Sequence, residues 1–440
     1  MSVRTRIRNG TPMRNGASSS LRHILALGAL LVASAAPARA QDSLRTKLDS
    51  LAARVERAEE RVKMLEQALA TESQSSVKTR SRVAMEFRGL VLVNGFMSSR
   101  RVNSTGNPVF VRPDDPADPF PRGMAMHVRQ SMLGFTIGAT DVLGARFTGD
   151  VDVDFHGGQL PSSGGRTFPL IRMRTARAIL QWPRAEVLLG QESPLITPVN
   201  PVSLASISTP GFAAAGNLWL WIPQARFTVE TGGRLRFGVQ GAVLAPGTGA
   251  AVGTFDVPNF DPAERSDRPF LQGRTRLRWG ADDMTAEVGL GGHVGWFALA
   301  NDSLAPGKII AADASVPITR WLEVRGELYQ GRGARALGGG GVGQLFGNNS
   351  VVIRSRGGWG QLNVRPNTSV IVGAGYGSDD PHNTDLPASS RFKNTVASGH
   401  VAWRPAGPLV FGAEYRRITT YYLPGRFASD HVNIAFGFEF

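Results

Sequence analysis

Phe147-Thr148-Gly149-Asp150-Val151-Asp152-Val153-Asp154-Phe155 alternates in character along its length. Phe147, Val151, Val153 and Phe155 fall on one side of an extended chain, and Thr148, Asp150, Asp152 and Asp154 on the other. Successive side chains of a strand point to opposite faces, so a period of two reads as a strand with one apolar and one polar face. The same period recurs at 432–440, where Val432, Ile434, Phe436, Phe438 and Phe440 oppose Asn433, Ala435, Gly437 and Glu439. Outward from these two stretches, sixteen segments of strand character run from 83–97 to 428–440.

The connectors alternate in length. Long ones are expected at 98–125, 157–167, 191–217, 246–267, 299–307, 334–349, 379–390 and 421–427, and short ones include Asp141-Val142-Leu143, Thr231-Gly232-Gly233 and Arg365-Pro366-Asn367. An up-and-down barrel with loops on one rim and tight turns on the other gives this alternation, and an even strand number returns the chain to its starting rim. The polar faces carry ionisable rows such as Arg172 and Arg174, Arg274, Arg276 and Arg278, Arg354 and Arg356. So many charges cannot fill a dry core, where each costs several kcal/mol unless paired, but they can line water. Trp182, Trp219, Trp221, Trp279, Trp296, Trp321, Trp359 and Trp403 lie near strand ends, where interfacial aromatic girdles are expected. The expected fold is all-β: a sixteen-stranded antiparallel transmembrane barrel preceded by a short N-terminal α-helical coiled coil.

The first 40 residues read differently. Arg4, Arg6, Arg8, Arg14, Arg22 and Arg39 are balanced by no acidic residue, so +8 of the formal +14 belongs to the rest of the chain. The basic stretch is followed by the apolar run 24–36, too short for the roughly 20 residues a spanning helix needs, and by Ala38-Arg39-Ala40. Residues 1–40 are predicted to be a cleaved signal peptide. Residues 41–76 switch to a heptad seam, with Leu48, Val55, Val62 and Leu69 at one core position and Leu44, Leu51, Ala58 and Leu65 at the other. This segment is expected to be a coiled coil in the periplasm, and residues 77–440 the barrel.

Composition excludes several alternatives. With 42% hydrophobic and 19% charged residues, the chain is neither a polytopic helical membrane protein nor largely disordered. The absence of cysteine excludes thiolate metal sites, disulfides and thiol nucleophiles. Gly338-x-Gly340-x-x-Gly343 matches a dinucleotide fingerprint in form only, because it sits in a polyglycine loop without a strand–helix unit. The histidines have no metal-ligand spacing. No cofactor, metal, catalytic residue or nucleic-acid partner is expected.

The body resembles the sixteen-stranded trimeric porins of the outer membrane, and in particular the DcaP-like group. The likeness is carried by Arg129-Gln130-Ser131-Met132-Leu133-Gly134-Phe135, the acidic strand Asp150 to Phe155, Leu170-Ile171-Arg172-Met173-Arg174-Thr175-Ala176, and Gly190-Gln191. It departs at Met132, where the group's pattern has another arginine. The cleaved signal and coiled coil are also similar to that group. The ending Phe436, Phe438, Phe440 resembles the signal read by the barrel-assembly machinery. The resemblance implies a homotrimer in outer-membrane lipid and lipopolysaccharide, a third loop (191–217) folded inward, and small carboxylates as preferred solutes.

Pore-lining residues are expected at Arg129, Asp150, Asp152, Asp154, Arg172, Arg174, Arg226, Arg274, Arg276, Arg278, Arg325, Arg354 and Arg356. The facing acidic and basic rows either set up a transverse field across the lumen or neutralise each other as cross-strand ion pairs. The remaining arginines outnumber Glu230, Glu323 and Glu327, which favours anions, since guanidinium matches carboxylate and phosphate geometry. The expected function is passive diffusion of small anionic solutes. The rival is a structural barrel that anchors the envelope, its coiled coil touching peptidoglycan.

Overall fold

The computed structural model describes residues 76–78, 84–117, 122–158, 169–248, 260–281 and 284–440. The predicted signal segment and all of the heptad positions from Leu44 to Leu69 lie outside the described residues.

One antiparallel sheet closes on itself. Its sixteen staves are β1 (Ala84–Ser98), β2 in two parts (Gly123–His127 and Met132–Val142), β3 (Ala145–Asp154), β4 (Arg172–Gln181), β5 (Ala185–Glu192), β6 (Ile222–Glu230), β7 (Leu235–Leu244) and β8 (Phe270–Trp279). They continue as β9 (Ala286–Ala298), β10 (Leu304–Thr319), β11 (Leu322–Arg332), β12 (Arg354–Asn367), β13 (Val370–Pro381), β14 (Lys393–Trp403), β15 (Leu409–Tyr422) and β16 (Gly425–Glu439). A three-residue strand, Ser76–Lys78, pairs with the start of β1. Each stave pairs with its neighbours in sequence, and β16 returns to β1 with Phe436 opposite Val93. Closure extends to Phe440, whose N–H donates to Gly89 O at 3.0 Å while Gly89 N–H donates to Phe440 O at 2.8 Å. The seam is thereby paired from Ser98 to Gly89, the kind of closure that a wall in lipid requires.

Register fixes which side chains face out. Leu290, Ile310, Leu328, Leu362, Val372, Val401, Ile434 and Phe436 all lie on the outer parity and are all exposed. An apolar belt around the whole outside has no counterpart in a water-soluble sandwich, whereas lipid covers it at no cost. Trp279, Trp321 and Trp403 are exposed at the short-turn rim, with Trp182 beside them at the end of β4. Three other aromatic expectations need correcting. Trp219 and Trp221 belong to the segment between β5 and β6, and Trp359 is turned inward and stacked on Phe212 at 5.6 Å. Proximity to a strand end does not determine facing; parity does.

Two connectors are shorter than expected. Register pairs Leu304 with Ala298, so only 299–303 joins β9 to β10. Likewise Tyr422 pairs with Gly425, leaving Leu423 and Pro424 as the whole link between β15 and β16.

The barrel is not hollow throughout. Inside it, Leu195, Ile196 and Leu218 pack with Phe270, Phe297, Leu337 and Val352 in one buried cluster. A second cluster joins Val111, Phe212, Ala215, Trp359, Val396 and Ile418. Both are built from long loops meeting inward-facing strand residues. The part of the lumen towards the loop rim therefore holds a packed core, a departure from an evenly water-lined wall.

Candidate pore constriction

The segment 193–221 lies against inward-facing side chains from most of the circumference. Its backbone is gripped by amides and carboxylates. Gln130 Oε1 accepts from Ser208 N–H (2.8 Å) and Gln130 Nε2 donates to Ala205 O (3.0 Å). Gln272 Oε1 accepts from Leu195 N–H (2.6 Å), and Gln361 both accepts from Val202 N–H (2.7 Å) and donates to Val202 O (2.9 Å). Fully buried Glu327 accepts from Leu218 N–H at 3.2 Å and from Trp359 Nε1 at 3.3 Å. A loop carries backbone groups that must be paired when buried, and amide side chains provide donor and acceptor together. Gly216 has a φ of +105°, and an added Cβ there would meet Gly358 O at 2.2 Å. Only glycine allows so close an approach to the wall.

The acidic row of β3 faces inward, and each carboxylate has its own arginine. Asp154 takes Arg172 at 2.6 and 3.1 Å, Asp152 takes Arg88 at 2.8 Å, and Asp150 takes Arg177 in two bonds of 2.8 Å. The two rows therefore neutralise each other rather than opposing across open water. Arg88 and Arg177 were not among the expected pore residues. Arg177 enters because of a β-bulge: Asp152 pairs with Thr175 and Val153 with Met173, leaving Arg174 as the extra residue. A bulge resets the alternation. Arg172, Arg174, Thr175 and Arg177 all face inward as a result, while Ala176 and Ala178 take the outer parity. Strict alternation from Arg172 and Arg174 hides Arg177, and no local sequence signal marks the bulge.

Three of the arginines expected to line the pore keep no carboxylate of their own among the described residues. Arg129 reaches only carbonyls, Phe155 O at 3.4 Å and Gly158 O at 3.5 Å. Arg226 donates to Ser193 O and Gln224 Oε1, both at 2.9 Å. Arg174 approaches Asp154 only to 3.7 Å, and that carboxylate is already taken by Arg172. Its guanidinium lies over the Trp221 ring at 4.7 Å and contacts the sulfur of Met132. Arg174 and Met132 also border a cavity of about 350 Å³ beside residues 200–207, together with His400, Glu414 and Asn433.

The wall from β6 to β10 carries a ladder. Arg274, Arg276 and Arg278 face inward with Arg236, against Glu230, Glu287 and Asp313. The Arg274–Asp313 pair (2.6 Å) is fully enclosed, whereas Arg278 is more open and nearer the short-turn rim. Arg325 is also inward and ties Asn200 O at 2.9 Å while pairing with Glu323. The buried pair Arg416 and Glu414, absent from the expected set, anchors the segment as well. Arg416 donates to Ser206 and Glu414 accepts from Ser203.

Arg354 and Arg356 are a correction. Arg332 pairs with Arg354, and Arg356 pairs with Gln330 and Asp380, all on the parity of Leu328 and Leu362. Both arginines face outward at the loop rim. Leu362 and Val364 in the same strand set that parity and are the sequence signal for it. Arg354 clamps Asp385 through Nε (2.9 Å), Nη2 (2.6 Å) and its own backbone N–H (3.0 Å), which holds that carboxyl down at about 2.

Phe436 and Phe438 face outward at the seam, Phe436 continuing a row of rings through Phe411 (5.0 Å) to Trp403 (5.4 Å). Phe440 is exposed beside Gly89.

No protein-family model matches the chain, and no curated protein matches it in sequence. Among solved structures, it is similar to the outer membrane channel DcaP of Acinetobacter baumannii, with a TM-score of 0.64 at 14% identity, covering 83% of this chain and 100% of that one. It is also similar to an anion-selective porin from Comamonas acidovorans, with a TM-score of 0.51 at 12% identity, covering 81% of this chain and 100% of that one. The expected likeness to the DcaP-like sixteen-stranded barrels holds at the level of fold.

Proposed function

We propose that the chain is an outer-membrane porin through which small hydrophilic solutes diffuse down their gradients, with a preference for anions. The observation that carries the sign is the trio Arg129, Arg174 and Arg226. Every acid of the β3 row is matched, so these guanidiniums are left to set the potential beside the 193–221 segment. In a narrow polar passage with low-dielectric walls, a few unmatched charges of one sign raise the local concentration of counter-ions. The anion selectivity named for the Comamonas porin supports the same reading.

In this reading the segment 193–221 narrows the pore, and Arg174 over Trp221 presents a flat cation to a passing carboxylate. Small carboxylates are the favoured solutes. The signal 1–40 is removed, 41–76 forms a coiled coil in the periplasm, the barrel assembles as a homotrimer, and Phe436, Phe438 and Phe440 are read during insertion.

The test is the reversal potential of refolded protein in a planar bilayer across a KCl gradient. A potential set by chloride supports the proposal; cation preference, or no conductance from folded protein, overturns it.

A further inference from the structure

Beyond the apolar belt, the outer wall carries a one-sided arc of positive charge. At the loop rim of β10 to β14, outward positions hold Lys308, Arg332, Arg354, Arg356 and Lys393, with Lys308 opposite Arg332 and Arg332 opposite Arg354. On the arc from β4 to β8, large apolar side chains such as Met173, Leu189, Val243 and Leu271 are exposed on the outer wall instead. The five cations face two carboxylates, Asp385 on Arg354 and Asp380 on Arg356. Lys308, Arg332 and Lys393 make no ion pair or side-chain hydrogen bond among the described residues. With strands about 4.8 Å apart, the row Lys308–Arg332–Arg354 is about 10 Å wide, more than one phosphate needs.

Two adjoining grooves follow this arc. The upper is bordered by Lys308, Arg332, Arg354, Arg356 and His382. The lower shares Gln330, Arg356 and Asp380 with it, adds Lys393, and has walls of Leu290, Ile310 and Leu328 over a floor that includes Gly357 and Gly358. From the upper groove to the lower, the lining changes from cationic to aliphatic towards the belt. Their shape and chemistry fit an amphiphile with phosphates at the head and acyl chains below. A free anion would leave the aliphatic half unused, and a lipid with one phosphate would leave part of the row unmatched.

We propose that this arc binds a phosphorylated acyl glycolipid of the leaflet beside the long loops. Its phosphates sit on Lys308, Arg332, Arg356 and Lys393, and its chains lie along Leu290, Ile310 and Leu328. The proposal rests on the porin reading only for the placement of the long loops at the leaflet that holds such a lipid.

The test uses the purified full barrel, delipidated in detergent and titrated with bisphosphorylated lipid A, with retention read by native mass spectrometry. The triple variant K308Q/R332Q/K393Q removes cations that hold no ion pair, so the fold is kept; K308Q/K393Q serves if the triple variant lacks a heat-modifiable band. The expected result is at least tenfold weaker retention of lipid A by the variant. Dephosphorylated lipid A and phosphatidylglycerol should bind the parent at least tenfold more weakly than lipid A does. Equal retention by parent and variant, equal binding of phosphatidylglycerol, or full displacement by millimolar inorganic phosphate would overturn the proposal. Because these side chains face away from the lumen, the variant should conduct as the parent does. A parent that binds lipid A but does not conduct would sink the porin reading and leave this site standing.

Discussion

Arg177 holds Asp150 with two parallel bonds of 2.8 Å and turns its remaining amino group to Glu192. One guanidinium thus compensates two carboxylates on neighbouring staves. Paired forks of this kind are the strongest ionic contacts a protein makes.

Arg177→Ala leaves Asp150 and Glu192 uncompensated at the lumen wall. It should lower stability by about 2 kcal/mol and reduce the chloride-to-potassium permeability ratio about threefold. Urea unfolding in lipid vesicles and the reversal potential check the two effects. The double variant R177A/D150A should recover more than half of the stability; no recovery would mean that the pair is not the cause.

Arg174 should influence passage more than its neighbour Arg172, whose carboxylate partner sits at 2.6 Å. Arg174→Ser is expected to lower anion preference by at least twofold, and Arg172→Ser by less. Trp221→Leu removes a contact of about 1 kcal/mol and should weaken carboxylate block of the current without changing expression. Competition between chloride current and a dicarboxylate gives the reading.

The outward placement of Arg356 makes a sharp contrast with Arg226. Arg226→Ala should shift the reversal potential towards cations, whereas Arg356→Ala should leave it within error. A shift of equal size in both would contradict the register of β12.

Gln130→Ala removes two bonds to the 193–221 segment at Ser208 and Ala205. Loosening by about 2 kcal/mol follows from one backbone donor and one acceptor left unpaired. Single-channel recordings should show added open-state noise and a larger mean conductance. Gly216→Ala, which must displace the segment from Gly358, should act in the same direction.

The clamp on Asp385 sets a pH dependence. Its carboxyl titrates at about 2 when folded, against an ordinary value of 3.8, so its contribution is full above about 4 and is lost as pH falls through about 2. Protease cleavage within 382–392 should stay slow at pH 5 and rise as pH falls from about 4 to about 2. Asp385→Asn should cleave fast at pH 5 as well. Fast cleavage of the parent at pH 4.5 would refute the clamp.

The strand pattern was legible because one period governs each stave and only one face of the wall meets lipid. The eight aliphatic and aromatic residues of the outer belt announce that face wherever they occur. Reading failed at two kinds of place. Beyond the lipid belt an outward position tolerates charge, so Arg354 and Arg356 resemble lumenal residues, and only Leu362 and Val364 in the same strand reveal their parity. At the β4 bulge the phase itself changes, and Arg177 was hidden. The partners of the 193–221 segment, such as Gln130, Gln361 and Glu414, could not be foreseen, because they lie far apart in sequence and meet only across the closed cylinder.

That segment also constrains the order of events during biogenesis. Leu204 O accepts from Asn94 on the first stave, while Ser203 and Ser206 hold Glu414 and Arg416 on the fifteenth. Those anchors come within reach of one another only after the last hairpin has joined the first strand. The full set of anchors on the strap therefore requires a shut cylinder, and a nascent barrel stalled before that moment would hold the strap by fewer bonds. In the porin reading proposed above, a cell that inserts it slowly would leak molecules that the finished barrel holds back.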